Sequence, residues 1–187
     1  MARIMKEKLH HDIVPGLVFF IPLVPLRTTP SVQFHDLPGG FIEYIHSIDR
    51  VHHDVGAFSP IAVNRPDVRA WYMHPDQEDN LLVLGGERVV ELYTSTHGAI
   101  ETFVVTPNSI VHRGKEIHSG PALLGWPTHV FHRVTSPQGS ISMNFARHFP
   151  NFDLDTNFNI YDVDVTAGTY TLLREGKTDQ PLRDVGE

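Results

Sequence analysis

Short apolar runs, each closed by turn residues, dominate the chain. Runs rich in β-branched and aromatic residues cover 40–48, 70–74, 80–84, 88–94, 100–106, 110–112, 129–134 and 140–147. Pro38-Gly39-Gly40, Gly85-Gly86, Pro107-Asn108 and Pro137-Gln138-Gly139 separate them. Such runs at short spacing predict the strands of a sandwich or barrel. Residues 161–173 predict one or two strands more. No stretch holds a helical period for long, so little helix is expected. The one strongly apolar run, 16–26, is about half the ~20 residues that span a bilayer, and Pro22 and Pro25 interrupt it. No small-x-small cleavage site follows it, so it predicts a strand or arm packed on the barrel or on a second subunit.

No repeat, low-complexity tract or linker divides the 187 residues. The expectation is a single domain with an N-terminal arm over 1–30, a barrel over 31–150 and a C-terminal extension over 151–187. The extension opens with the loop-like Asn151-Phe152-Asp153-Leu154-Asp155 and is polar from Gly176, where fraying is expected.

Composition narrows the function. A hydrophobic fraction of 41% and a charged fraction of 20% exclude wholesale disorder. A net charge of −7 without any Lys/Arg cluster argues against nucleic acid and anionic membrane as partners and leaves a small molecule. The absence of cysteine excludes disulfides, thiolate chemistry and Cys-ligated zinc. It fits a reducing compartment, and a cytoplasmic location is expected. Thirteen histidines turn attention to metal ligation and proton transfer.

Two segments carry that chemistry. In Arg69-Ala70-Trp71-Tyr72-Met73-His74, strand alternation places Tyr72 and His74 on one face. A turn at Pro75 brings Asp79 back beside His74, and Gly85-Gly86 turns the chain again. The second segment, Trp126-Pro127-Thr128-His129-Val130-Phe131-His132, follows roughly fifty residues later. Spacing alone leaves open whether the fold closes it over the first.

Together these segments resemble the paired motifs of the cupin superfamily. The first family motif is His-x-His, three or four residues, Glu, six residues, Gly; this chain reads Tyr72-x-His74, four residues, Asp79, six residues, Gly86. The second is Gly, five residues, Pro-x-Gly, two residues, His, three residues, Asn; here Pro127, His132 and Ser136 fill it. His129 replaces its second Gly, and Gly120 lies one residue too early for the first. The resemblance covers about 60–147 and implies an all-β double-stranded β-helix, or jelly-roll barrel. By position it implies His74, Asp79 and His132 as ligands of a divalent transition metal (Fe, Mn, Ni or Zn), with Tyr72 in place of the first His. Two imidazoles and a carboxylate can hold such an ion facially with positions left open. The alternative is a metal-free barrel whose polar residues hydrogen-bond one another.

The first segment is also similar to the sugar-nucleotide epimerase branch of the cupins, the dTDP-keto-deoxyhexose 3,5-epimerases and related ketoisomerases, which need no metal. That branch has an Arg-Gly-x-His strand whose His is the catalytic base. Arg69-Ala70-Trp71-Tyr72 keeps the Arg and puts Tyr72 at the base position. An unperturbed Tyr titrates near ~10 and serves better as an acid. His74, two residues on and on the same face, is then the candidate base.

Other residues admit two readings. Gln77 lines the pocket or caps the hairpin. Arg69 clamps a phosphate or carboxylate, or forms a salt bridge at the barrel end. Trp71 and Trp126 pack, or stack on a sugar ring. His112 and His118 are expected in a solvated connection, His129 facing away from the pocket, and His52-His53 and His10-His11 at the surface.

Three functions follow. The first is an isomerase or epimerase of a small, polar, carbohydrate-derived substrate, in which His74 and His132 exchange protons, Tyr72 is acid or orienting group, and Arg69, Gln77 and Trp71 bind substrate. The others are a metal-dependent oxygenase or decarboxylase and a binding module without catalysis. A homodimer is expected through edge strands and the arm at 17–26.

Overall fold

The computed structural model describes residues 9–37, 40–62, 65 and 67–178. The apolar run at 16–26 splits in two. Its first half enters β2 (Val18–Pro22), which follows β1 (His11–Val14). Four consecutive residues of β2 are buried because both faces of this strand are covered. Val18 and Phe20 join the inner core, while Phe19 and Ile21 pack with Phe41 and Leu123. The second half becomes β3 (Val24–Thr29), which pairs with β4 (Val32–Asp36) in a two-stranded sheet.

The chain continues through β5 (Ser47–His53), β6 (Ala57–Ser59), β7 (Trp71–Met73), β8 (Gln77–Gly86), β9 (Arg88–Tyr93) and β10 (Glu101–Thr106). Then come β11 (Ser109–His112), β12 (Lys115–Ser119), β13 (Ala122–Trp126), β14 (Phe131–Ser136) and β15 (Ser140–His148). A short turn of helix, α1 (Leu154–Asn157), precedes β16 (Ile160–Asp164) and β17 (Thr169–Arg174), and a 3₁₀ turn covers Gly176–Thr178. A six-stranded sheet in the order β1-β2-β13-β8-β15-β5 faces a nine-stranded one, β12-β11-β10-β9-β14-β7-β16-β17, with β6 also paired to β14. Neighbouring strands run antiparallel. This is the expected all-β jelly-roll barrel, with very little helix.

Alternation of faces sorts the side chains. On β8, Gln77, Asp79, Leu81 and Val83 are buried along one face. On β14, His132 and Val134 point into the barrel, and Phe131 points out to pack with Trp71, Tyr93 and Tyr161. Apolar residues such as Val90, Leu92, Phe103 and Leu124 fill one part of the interior. The rest is left to the polar cavity described below.

The structure corrects several expectations. Residues 41–46 form no strand; β5 begins at Ser47, because Phe41 folds onto the outer face of the six-stranded sheet. Pro38 and Gly39 lie outside the described residues. The supposed connection at 111–120 is a hairpin of β11 and β12, turned by Arg113 (φ 50°) and Gly114 (φ 73°), the double left-handed geometry of a tight two-residue turn. His112 is no solvated loop residue: its Nε2 lies 2.6 Å from the buried Glu101 carboxylate, which also takes Arg113 at 2.6 Å and His97 at 2.9 Å. Burial pushes the Glu101 carboxyl up, but hydrogen bonds from Arg113, His112 and His97 together outweigh it and bring it to about 2. The His118 ring lies tilted against Phe20, with centroids 5.3 Å apart. β13 was not foreseen because all five of its residues are buried, so it shows no alternation. The residues expected as a terminal arm supply β1 and β2, and those beyond 150 supply β16 and β17 of the larger sheet. Gly176 is buried where fraying was expected; residues 179–187 lie outside the described ones.

Gly86 ends β8 at φ 72°, and a Cβ there would sit 2.0 Å from the Gly139 carbonyl oxygen. Neither backbone can yield without opening the β8–β15 ladder. Gly86→Ala is therefore expected to destabilise the fold by ~2 kcal/mol or more. Gly85→Ala, where a Cβ would meet nothing within 4 Å, is expected to cost under ~1 kcal/mol. Urea denaturation of the two variants checks the contrast, and equal midpoints would refute the close approach.

Candidate functional site

A cavity of about 370 Å³ opens between the sheets. Its centre is the buried Asp79 on β8. Asp79 Oδ1 accepts from Gln77 Nε2 at 2.7 Å and from Asn144 Nδ2 at 2.7 Å. Gln77 is itself fixed by Asn157 Nδ2, which donates to its Oε1 at 2.9 Å. Asp79 Oδ2 has no hydrogen-bond donor. It faces His74 Nε2 at 3.5 Å and His132 Nε2 at 3.9 Å.

The two imidazoles are aimed by the main chain. His74 Nδ1 meets the carbonyl of Asn157, and His132 Nδ1 meets that of Val130 at 3.2 Å. A carbonyl only accepts, so each Nδ1 carries a proton, and the Nε2 of each ring is turned to the cavity. Burial, then the neighbouring His74, lowers His132 to about 4 against the pull of Asp79 and Val130. His132 is therefore neutral near pH 7. Tyr72 lies directly across the β7–β14 ladder from His132, its ring 5.8 Å away, and 6.1 Å from the ring of His74. Burial raises its phenol above the ordinary value, against opposing contributions from Ser59 and Arg174, so it keeps its proton. Phe158, just after α1, sets its edge against both Tyr72 and His74. Trp126 lines the wall 5.2 Å from His132, its Nε1 without a partner.

One ligand atom from each of His74, Asp79 and His132 lies within 4.8 Å of the others. The donor set, two Nε2 lone pairs and one orphaned carboxylate oxygen, suits a divalent first-row ion, and the carbonyls behind each Nδ1 are the usual outer-shell partners of a ligating imidazole. Tyr72, held as a phenol, adds no anionic ligand.

The fold thus brings Tyr72, His74, Gln77, Asp79 and His132 together as the sequence suggested. It does not bring Arg69 and Trp71 to them. The alternation that turns Tyr72 inward turns Trp71 outward, where it is buried under Arg133, whose guanidinium carbon lies 4.0 Å from the ring centre. Arg69 donates to Thr135 Oγ1 at 2.9 Å, lies 3.6 Å from Glu91 and covers the Phe58 ring. Neither lines the cavity. His129, at φ 63°, is also outside it.

Sequence reasoning missed several lining residues, among them Asn144, Arg88 and His53. Asn144 and Arg88 lay on expected strands, and inward phase alone would have found them. His53 was read as a surface residue because the strand over it was expected to end at 48. It is buried, with its Nδ1 2.9 Å from Ser136 Oγ. Arg88 Nε donates to Ser140 Oγ at 3.0 Å, and burial lowers the guanidinium to about 10.

No protein-family model and no curated protein matches this sequence. Solved structures do match. WlaRB, a TDP-quinovose 3,4-ketoisomerase from Campylobacter jejuni, superposes with a TM-score of 0.52 at 13% identity over 73% of this chain and 87% of its own. The Mycobacterium tuberculosis rmlC epimerase gives 0.51 at 12% identity over 75% and 69%. QdtA, a sugar 3,4-ketoisomerase from Thermoanaerobacterium thermosaccharolyticum in complex with TDP, gives 0.50 at 13% identity over 75% and 85%. The fold is therefore the jelly-roll barrel that these three proteins share.

Burial, then Arg88 and His52, lowers His53 to about 4 from 6.5. Between these values the unfolded chain binds more protons than the folded one, so this contribution to stability is complete above about 6.5 and is lost as pH falls towards 4. The expected slope is at most ~1.4 kcal/mol per pH unit. Urea unfolding at pH 7, 5.5 and 4.5 should show this slope reduced in His53→Asn; an unaltered slope would mean that His53 is not buried in its neutral form.

Proposed function

We propose that this protein is an isomerase or epimerase that moves a proton at a carbon beside the carbonyl of a small, polar, sugar-derived substrate. The observation carrying this reading is the pair of imidazole Nε2 atoms aimed at one undonated carboxylate oxygen in a cavity that also holds a protonated Tyr72. His74 is the base. Its Nδ1–H is anchored on Asn157, and Asp79 stabilises the imidazolium formed when Nε2 takes the proton. The C–H electron pair becomes the double bond of an enolate, and the carbonyl oxygen takes the charge. The Tyr72 hydroxyl donates to that oxygen and can protonate it to an enediol. The proton of the hydroxyl on the deprotonated carbon then returns to the Tyr72 oxygen, and the His74 imidazolium delivers its proton to the former carbonyl carbon, which moves the carbonyl by one position. Return from His132 to the opposite face of the original carbon, after proton exchange between the rings, gives the epimer instead. Gln77 and Asn144, which line the cavity, hold Asp79. Structural neighbours described as a TDP-quinovose 3,4-ketoisomerase, a sugar 3,4-ketoisomerase recorded as a mutant with TDP-4-keto-6-deoxyglucose, and a dTDP-4-dehydrorhamnose 3,5-epimerase support a carbonyl sugar as substrate.

A second reading draws on the same orphaned Asp79 oxygen. His74, Asp79 and His132 would hold a divalent metal, which would supply Lewis acidity at the substrate carbonyl. The chain's residues would then orient the substrate beneath Tyr72.

Solvent-deuterium exchange at the carbon beside the carbonyl, followed by NMR for a panel of keto sugars and their nucleotide derivatives, separates these readings. Wild type is expected to exchange at least one of them. His74→Asn should lose the exchange ~10²–10⁴-fold, and Tyr72→Phe should lose it by a smaller factor. Elemental analysis of unchelated wild type and His132→Ala accompanies it. One metal per chain, absent from the variant, would move the assignment to the second reading. A ligand bound without exchange in any substrate would leave a binding protein.

We further propose a homodimer. Within the arm expected at 17–26, Leu17 and Ile21 offer no surface, because Leu17 is buried in the inner core and Ile21 under Phe41. The β3–β4 hairpin instead exposes Leu26, Val32 and Phe34, and a second copy would cover them. Light scattering should give twice the 21.1 kDa chain mass and the Phe34→Lys variant a monomer; a monomeric wild type refutes the dimer.

A further inference from the structure

The far end of the cavity carries a charge that the chain does not answer. Arg88 is 4% exposed, sits on the inner side of β9 and lines the cavity. Its Nε and Nη2 donate to Ser140 Oγ and, at 3.5 Å, to the Val51 carbonyl, both of them neutral acceptors. Among the described residues no carboxylate pairs with it. The cavity's own carboxylates are engaged elsewhere: Asp79 by Gln77 and Asn144, Asp49 by Ser47 at 2.6 Å. Other buried charges of this protein are matched, Glu101 by Arg113 and two histidines, Arg133 by Glu91 at 2.7 Å. A buried cation without a counter-ion is costly and is retained where something else supplies the anion.

Two more polar groups with open hydrogen-bonding capacity line the cavity between this end and the histidine pair. Ser142 is fully buried and lines the cavity, and its Oγ has no partner. His53 has one ring nitrogen held by Ser136 and lines the same wall with the other uncommitted. Two strands measure the distance from this end to the histidine pair. On β14, His132 is four residues from Ser136; on β15, Asn144, which holds Asp79, is four residues from Ser140, which holds Arg88. At ~3.3 Å per residue, the two ends stand roughly 13 Å apart along the strands.

We infer that Arg88, with Ser142 and His53, forms an oxyanion-binding subsite, and that the substrate is an elongated sugar derivative carrying a carboxylate or a phosphate ester at the end remote from its reacting carbon. A planar guanidinium with free donor edges is suited to either group. The reacting end of this assignment rests on the isomerase reading; the subsite itself does not.

Isothermal titration calorimetry with D-gluconate, D-glucose 6-phosphate and neutral D-glucose, at matched ionic strength, tests it. Wild type is expected to bind at least one of the anions tenfold or more tighter than glucose. Preference for gluconate assigns a sugar acid, and preference for the phosphate a sugar phosphate. Arg88→Gln should abolish the preference while His74→Asn retains it. If Arg88→Gln fails to fold, Ser142→Ala decides, with an expected several-fold loss for the anion and none for glucose. Equal binding of anions and glucose by wild type, or a preference that survives in Arg88→Gln (in Ser142→Ala, should Arg88→Gln not fold), overturns the subsite. An anion preference in a protein that exchanges no substrate proton would overturn the isomerase reading alone.

Discussion

A carboxylate buried inside a β-barrel is the constraint on which the rest of this site depends. Asp79 is almost wholly withdrawn from bulk water, so the fold must supply most of its solvation. One oxygen is satisfied by two side-chain amides from different parts of the chain, Gln77 at the start of its own strand and Asn144 on the neighbouring one. The first of these needs Asn157, which lies beyond the barrel strands, in α1. The same residue's carbonyl anchors His74. Asn157 therefore ties the C-terminal segment to the centre twice, by its side chain to Gln77 and by its carbonyl to His74. The second carboxylate oxygen is left for two imidazoles, and whatever chemistry occurs here acts on that unspent lone pair.

The jelly roll makes this arrangement possible by separating roles between faces. β7 and β14 pair so that Tyr72 and His132 are directly opposed inside, while Met73 and Phe131 are opposed outside. The outward set packs under β16 and β17 with Trp71 and Tyr161, which holds the inward set in register. A slip of one residue would exchange the faces and place Phe131 in the cavity. Apolar packing and polar chemistry thus share the same strands, and the precision of the polar side depends on the packing of the other.

Much of this was legible in the sequence, and what was lost has a common cause. Strands with one face in and one face out, such as 88–94 and 140–147, show a two-residue period and were readable. Strands covered on both faces, β2 and β13, show only continuous hydrophobicity, and their pairing was invisible. The histidine and carboxylate positions were readable through motif spacing, because a hairpin between His74 and Asp79 is local. Arg69 and Trp71 were misplaced even though the strand was right: the motif match outweighed the alternation that excludes Trp71 once Tyr72 faces in. His53 and Asn157 could not be found by local reasoning, since each lies 80 or more positions from its hydrogen-bond partner.

The replacement of an imidazole by Tyr72 gives the site its character. Three imidazoles and a carboxylate would surround a cation with neutral donors and compete for each proton that enters. Here burial already keeps His132 neutral, and a third ring of the same kind would add another group that resists protonation. A phenol behaves in the opposite sense: burial strengthens its hold on the proton it carries. The cavity consequently contains two lone pairs that accept and one O–H that donates, within ring-contact distance of one another. A carbonyl with an acidic neighbouring C–H requires that asymmetry, a donor for its oxygen and an acceptor for its proton. The departure from the metal-binding pattern of the first motif is the feature that supplies both from three adjacent side chains.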